Sequence, residues 1–592
     1  MRPRVSSRFL EGLLYALTAF GLFAFGGVEP WSRAILEVSA FGLAFACALK
    51  EPVEVPPAAE WFWLFPAAFA AFGYVQLQRF VPADGPRPPE PFTAAPHATR
   101  AAILLWLAYA ALVWSVPRVI RTHEAARRYV RVVFGLGLAL AAAGLLQMAA
   151  GSELLYGVRD AGGAFPFGPY YNRDHAANVL LMSAALGAGL FLSKAGKIQG
   201  SRTRTAAALG VLLLLAGVAA CGSRGALLAA LLSAAAVAFF GADFERNGSE
   251  RRAQAAFALC GAAAVVLVAI QYASSTADAG ALVERSVMGR LSIYGDAWRW
   301  WRDAPLFGTG LGSFETVYPS YQDLELRAFV SHAHCDWLEI LLEAGALGLL
   351  AAAAAAATAA FVSIRAWREA RSSEMRALIG GAFAAAAAFA AHALVDFVFQ
   401  IPGNAFLLAG LVGFLLSAPA WSDKNAPAER AKAPGAAVVV LAAAGFLLAV
   451  RSAAAPAAAA WLAGAPGTAA ARGAGLQRAY ALDSDPAYLK NLAALLLRND
   501  AAEGAGATQA RREGASYAAA AASSLPFDSA ALELAGRSLW RLGRAPDARV
   551  YFDDAAAVRF PSFKPVGWDP AADALGKRKR LETIRTLAGD KP

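Results

Sequence analysis

Apolar runs about as long as a lipid bilayer is thick recur along this chain, and they constrain its fold more than any other feature. Ala101–Val116, Val130–Ala150 and Ala206–Ala220 are examples. A helix of roughly 20 apolar residues is what it takes to cross ~30 Å of hydrocarbon. Of the 592 residues, 58% are hydrophobic and only 17% charged. A soluble protein of this size carries about 25% charge and divides into several solvated domains. The expected fold class is therefore all-α, a polytopic membrane helical bundle. About thirteen spans are predicted, near residues 9–27, 34–49, 61–78, 101–117, 130–150, 176–193, 205–221, 225–241, 254–271, 333–362, 377–397, 400–417 and 435–451. The first follows Arg2, Arg4 and Arg8 and leads into GGVEPW without a small-residue cleavage site, so it is expected to be retained.

The cations set the expected orientation. Arg118, Arg121, Arg127, Arg128 and Arg131 lie in segment 117–131, Lys194, Lys197, Arg202 and Arg204 in 194–204, and Arg365, Arg368, Arg371 and Arg376 in 364–376. The positive-inside rule places all three in the cytoplasm with the N-terminus, and the predicted spans satisfy this alternation. Residues 151–175, 222–224, 272–332 and 398–403, and everything after about 451, then fall on the opposite, non-cytoplasmic side of the membrane. The net charge of +10 thus describes topology and affinity for anionic membrane lipid. No basic-aromatic interleaving points to nucleic acid. Cys47, Cys221, Cys260 and Cys335 form no CxxC motif; Cys221 and Cys335 both fall near the outer face, where a disulfide is conceivable.

The character changes after Arg451, dividing the chain into a membrane domain, 1–451, with an outer loop at 272–332, and a helical domain, 452–592. Pro486, Pro526 and Pro561 are 40 and 35 residues apart, near the ~34-residue tetratricopeptide period. In the last unit Gly536, Gly543, Ala548, Phe552 and Ala555 stand near the small and aromatic positions of such a repeat. Two to three repeats are expected, with an Ala-rich helical cap as the alternative.

Polar residues gather on the outer side. Asn172, Arg173, Asp174 and His175 enter the sixth span; Arg224 sits in a tight turn; Arg290 lies in the long loop; His332, His334, Asp336, Glu339 and Glu343 open the tenth span; His392 and Asp396 close the eleventh. Ionisable groups at a membrane rim are costly and often functional. Each has a plainer reading. Arg224 can snorkel to headgroups, and Arg290 can be a surface charge. Leu291–Asp303, with Trp298, Trp300 and Trp301, reads as an interfacial helix. GTGLG at 308–312 lacks the Lys-Ser/Thr ending of a phosphate loop and reads as a turn.

The HAH tripeptide invites a metal. If the helix starts by residue 332, His332 shares a stripe with Asp336, Glu339 and Glu343, while His334 faces away with Leu338, Leu341, Gly345 and Gly348. One ion cannot then take both imidazoles, and no metal or other cofactor is expected. No GxSxG elbow supports a serine hydrolase.

HAHCDWLEILLEAGALGLL resembles the hallmark of the O-antigen ligase/polymerase family: His, then Asn, Ser or Gln, nine residues, Gly, two residues, Gly. Here these are His334, Cys335, Gly345 and Gly348, with Cys335 in place of the polar residue. FGPYYNRDHAAN, GSRGALLA, GRLSIYGDAWRWWRDAPLFGTGLGSF and HALVDFVFQIPGNA also resemble family segments, in the same order, over roughly residues 10–420. The resemblance implies a GT-C-like membrane glycosyltransferase that works without metal. It would move a glycan from an undecaprenyl-diphosphate carrier to a hydroxyl of lipid A-core, a growing glycan or a protein on the periplasmic face. It implies that Arg224 and Arg290, with Arg173, hold the donor diphosphate and that His334 meets the acceptor as base or positioning group. Asn172, His175, His332, Asp336, Glu343, His392 and Asp396 would support them. The repeat domain would bind acceptor or a protein partner. The competing readings are a polysaccharide transporter or flippase, which would place charge at the midplane in two repeated halves, and a scaffold that displays the repeat domain.

Overall fold

The structure, a computed structural model, describes residues 6–50, 55–80, 90–161, 165–193, 201–241, 279–318, 321–322, 330–422, 443–448, 450–451, 469–483, 486–498, 505–524 and 529–559. Its membrane part is built from α1 (Ser7–Phe23), α2 (Pro30–Leu49), α3 (Pro57–Trp61), α4 (Leu64–Gln76), α5 (Pro96–Val119), α6 (His123–Ala149), α7 (Arg173–Leu192), α8 (Ser201–Cys221), α9 (Arg224–Gly241), α10 (Ala279–Asp303), α11 (Asp336–Glu369), α12 (Ser373–His392) and α13 (Pro402–Ser422). Short antiparallel pairs at 79–80 with 90–91 and 154–155 with 159–160 are the strands among the described residues. Among the described residues, α2, α5, α6, α7, α8, α11, α12 and α13 are the eight helices long and apolar enough to cross a membrane. The molecule is an all-α, multi-pass membrane protein.

Local chemistry sets where these helices start. The Ser6 hydroxyl accepts from Phe9 N–H at 3.1 Å, Thr122 from Ala125 N–H at 3.2 Å, Asn172 from Asp174 N–H at 2.8 Å, Ser223 from Ala226 N–H at 3.2 Å and Ser372 from Met375 N–H at 3.1 Å. Each side chain satisfies a donor that helix geometry leaves unpaired. α2, α5 and α13 begin at proline, whose missing N–H costs nothing there.

α7 is the hub, buried along nearly its whole length and packed against α6, α8, α9 and α12. It meets α12 where Gly189 faces Gly381, the close backbone approach that small residues allow between membrane helices.

The two ends of the bundle differ. At one, Arg128 clasps Glu11 at 2.8 and 2.9 Å, Arg118 pairs with Glu60, and Arg127 pairs with Glu374. At the other end the carboxylates on α11 accept backbone N–H groups. Asp336 Oδ2 accepts from Phe399 N–H at 2.8 Å, Glu339 Oε2 from Ala333 N–H at 2.9 Å, and Glu343 from Gly312 and Phe314 N–H at 2.8 and 2.9 Å. Each acid therefore ties a different rim loop to one helix. That explains why an apolar helix opens with three carboxylates.

α11 is broken at Gly345, which takes φ 67° and ψ −171°. The carbonyls of Pro305 and Leu306 enter the gap and accept from Ala346 N–H at 2.9 Å and Leu347 N–H at 3.3 Å. Donors freed by the break are thus satisfied by the loop that causes it.

Several expectations need correction. The span drawn at 61–78 is two helices, α3 and the 13-residue α4, with Trp63 Nε1 donating to Glu60 O at 2.8 Å at the break. The tenth span starts at Asp336 rather than 333. α10 covers 279–303, and its tryptophans divide: Trp298 is 58% exposed, whereas Trp300 is fully buried and stacks on Tyr321. Cys221 and Cys335 are free thiols. The span expected at 254–271 and most of that at 435–451 lie outside the described residues.

The C-terminal part comprises α14 (Ala469–Asp483), α15 (Pro486–Arg498), α16 (Ala505–Ser524), α17 (Ser529–Arg541) and α18 (Ala545–Arg559), each packed against the next. Gly536 on α17 lies against Phe552 on α18 with no room for a side chain, and Ala548 and Ala555 are buried in the same core.

Candidate active site at the polar rim

The segment 330–335 and the turn 393–401 are laced together: Asp336 N–H donates to Ala393 O at 2.9 Å. Phe397, in that turn, carries three imidazoles. His332 stacks on it with ring centroids 4.5 Å apart, and His175 and His334 meet it edge-on at 4.6 and 4.9 Å.

Because α11 begins at Asp336, the helical-stripe expectation for HAH does not hold. His332 still meets Glu339, Nδ1 to Oε1 at 2.9 Å, but it does so across the rim turn. His334 adopts φ +51°, a conformation few non-glycine residues take and one that concentrates at functional sites. It thereby turns its buried Nδ1 toward Asp396 Oδ1 at 3.6 Å while its side chain remains 35% exposed. The His334 carbonyl accepts from the Tyr294 hydroxyl at 3.3 Å.

Asp396 stands between two imidazoles, with His392 Nε2 at 3.8 Å from Oδ2, and its Oδ1 also accepts from Phe397 N–H at 2.9 Å. Burial alone would raise the Asp396 carboxyl. The adjacent His334, with His175 and His392, more than reverses this and holds it well below the ordinary carboxylate range.

Arg224 opens α9. Its neighbour Gly225 packs on the His392 ring so closely that a Cβ there would fall 2.9 Å from Cδ2 and 3.0 Å from Nε2. Arg290 lies on α10 one turn before Tyr294 and within electrostatic reach of both Tyr294 and His392. Arg173, at the start of α7, lies over the Phe165 ring at 4.8 Å. His334, His175, His332, His392, Asp396, Arg224, Arg290, Arg173 and Asn172 all belong to this rim. Asp336 and Glu343 share the rim but face backbone amides, as clamps. Phe397, Tyr294, Asn178 and Asn404 were not singled out from sequence, although all four lie within the family-like segments. Among the described residues no group of three or more His, Cys, Asp or Glu side chains is arranged to hold a metal ion.

Cys335 occupies the N-cap of α11, where its side chain makes no capping hydrogen bond. A polar side chain at this position would have a donor to satisfy. Cys335→Asn is expected to stabilise the protein by about 1 kcal/mol, read as a rise in the thermal midpoint in detergent.

The His332–Glu339 pair carries a pH signature. Burial opposes charge on His332, but the Glu339 carboxylate outweighs it and raises the imidazole above its usual value. The pair's contribution is therefore complete below about pH 6.5 and is lost as pH rises through the raised value. His332→Gln should flatten this part of the stability–pH curve; an unchanged slope would show that the pair stores no such stability.

Below the rim, α4, α5 and α11–α13 line a half-open, almost wholly apolar pocket of about 390 Å³. Asp336, Trp337 and Phe399 line its rim end, and Ala356, Ala359 and Ser363 line it farther along α11.

Fold and site together define a multi-pass helical membrane protein with imidazole, carboxylate and guanidinium groups assembled at one rim of an apolar bundle. Residues 209–353 match the family model described as O-antigen ligase, so this segment of the chain is similar to that family. The matched stretch holds Arg224, Arg290, His334, Gly345 and Gly348; His175, His392 and Asp396 lie outside it. No curated protein matches the chain.

Proposed function

We propose that the protein is a metal-independent glycosyltransferase that takes a glycan from undecaprenyl diphosphate at the periplasmic face of the inner membrane. The observation that carries this reading is the pairing of His334 with Asp396 at the rim where Arg224 and Arg290 also lie. His334 Nδ1 faces Asp396, which leaves Nε2 for an acceptor hydroxyl. As the hydroxyl oxygen bonds to the anomeric carbon, Nε2 takes its proton. The bond from that carbon to the diphosphate oxygen breaks, and the carrier leaves with the electron pair. Arg224 and Arg290, with Arg173, neutralise the diphosphate as its charge grows. The apolar cavity suits a polyisoprenoid chain, and its apolar lining argues against the midplane charges of a transporter. The repeat-like helices after Arg451 would receive the acceptor or a protein partner.

The test is transfer by purified protein in vesicles, using undecaprenyl-diphosphate oligosaccharide with lipid A-core, free glycan or peptide as acceptor. Arg224→Ala and Arg290→Ala should each abolish transfer, while a chelator should leave it unchanged. Full activity in both variants would overturn the reading. Deleting the gene in its host and analysing surface polysaccharide then distinguishes ligase, polymerase and protein-glycosylating roles. Filling the cavity with Ala359→Trp should lower transfer from the long-chain donor about tenfold, a change worth ~1.4 kcal/mol, and affect a short-prenyl donor less.

A further inference from the structure

A chain of buried amides runs from the core to Asp396, and its direction can be read without ambiguity. It starts from an atom that can only accept, the carbonyl of His175. Asn404 Nδ2 lies 3.0 Å from that carbonyl, so this atom must be the amide nitrogen. Asn404 Oδ1 then faces Tyr170, whose hydroxyl donates to it at 2.9 Å. The second hydrogen on Asn404 Nδ2 goes to Asn178 Oδ1 at 3.3 Å. Asn178 therefore turns its own Nδ2 to His392, 3.3 Å from Nδ1. A nitrogen that receives an N–H cannot carry a proton, so the proton of neutral His392 sits on Nε2. That atom makes no other hydrogen bond and stands 3.8 Å from Asp396 Oδ2. Asn178, His392 and Asn404 are all fully buried, where an amide turned the wrong way would leave two polar groups unpaired.

We propose that Asn404 and Asn178 lock His392 as the neutral Nε2–H tautomer, making it a positioning residue that steadies Asp396 and takes no part in proton transfer. Two imidazoles flank one carboxylate, and the amide chain gives them different work. His334 has no such amide donor on Nδ1, which faces Asp396 Oδ1 at 3.6 Å, and its side chain is 35% exposed, so it is the imidazole that an acceptor can reach. The other charged and titratable groups around this pair are Arg290 on α10, Asp174 and His175 on α7, Asp336 on α11, and Arg224 beside Gly225 on α9. None of them replaces the Asn178 donor at Nδ1.

This division of labour rests on the proposed glycosyl transfer, whereas the tautomer itself does not. The decisive measurement is ¹⁵N NMR of the full-length, histidine-labelled protein in lipid nanodiscs, with the His392 signals assigned by their loss in His392→Gln. Wild-type His392 should show one protonated and one bare ring nitrogen, with Nε2 protonated, unchanged between about pH 5 and pH 8 where an ordinary histidine titrates. Asn178→Asp replaces the donor by an acceptor. It should move a proton to Nδ1 and give the pH profile of transfer a second titrating group, while Asn178→Gln should restore part of the wild-type profile. An Nδ1–H tautomer, or an imidazolium forming in that range in the wild type, overturns the proposal. A locked tautomer with no glycan transfer from any donor would sink the proposed reaction and leave the amide relay standing.

Discussion

His334→Ala is expected to lower glycan transfer by about 10²–10⁴-fold, the range for loss of a positioned general base, while leaving the protein folded. The side chain is 35% exposed and its Nδ1 makes no hydrogen bond within ordinary distance, so little packing is lost with it. The backbone, not the ring, carries the local cost: alanine at φ +51° is no easier to accommodate than histidine. A modest fall in thermal midpoint with a very large fall in rate is thus the signature to look for. Asp396→Asn should follow in the same direction, because the amide keeps the shape but removes the negative charge that faces His334 Nδ1 at 3.6 Å. An alanine variant that transfers glycan at the wild-type rate would remove His334 from the chemistry.

The largest stability effect is expected at Gly345. With φ 67° and ψ −171° it occupies a region that side chains essentially exclude, and a Cβ would overlap the backbone carbonyl of Leu306. Relaxing either strain means withdrawing the 305–306 carbonyls from the break and stranding the N–H groups of Ala346 and Leu347. Gly345→Ala should therefore cost about 3 kcal/mol or more, since a special backbone conformation and two backbone hydrogen bonds are lost together. Gly12, inside α1 with open space where a Cβ would project, is the control. There alanine should be neutral or stabilising by roughly 0.5–1 kcal/mol. Thermal midpoints of the two variants in one detergent compare them directly; equal midpoints would mean the break in α11 is not under the strain argued here.

The membrane helices were legible because apolar length is a strong, local signal, and polar residues on that background picked out the rim. What the sequence concealed was decided by partners far along the chain. Nothing local stops residues 332–335 from being helical; the Glu339 carboxylate and the Ala393 carbonyl capture the His332 imidazole and the Ala333 and Asp336 amides instead. The apolar run 61–78 gives no sign that Trp63 will divert a helix carbonyl. Phe397 was invisible for the opposite reason. A phenylalanine among apolar neighbours reads as core until three histidines from separate segments are found on its ring.

The arginines at the other end of the bundle act at two different times. Arg118, Arg127 and Arg128 lie in a segment whose cations argue for orientation, yet in the finished protein they are already joined to Glu60, Glu374 and Glu11. Any topological pull they exert belongs to the nascent chain, before α1, α3 and α12 have delivered those carboxylates. After assembly the same residues become rivets between helices, and the mature surface is much less cationic than a count of its arginines implies.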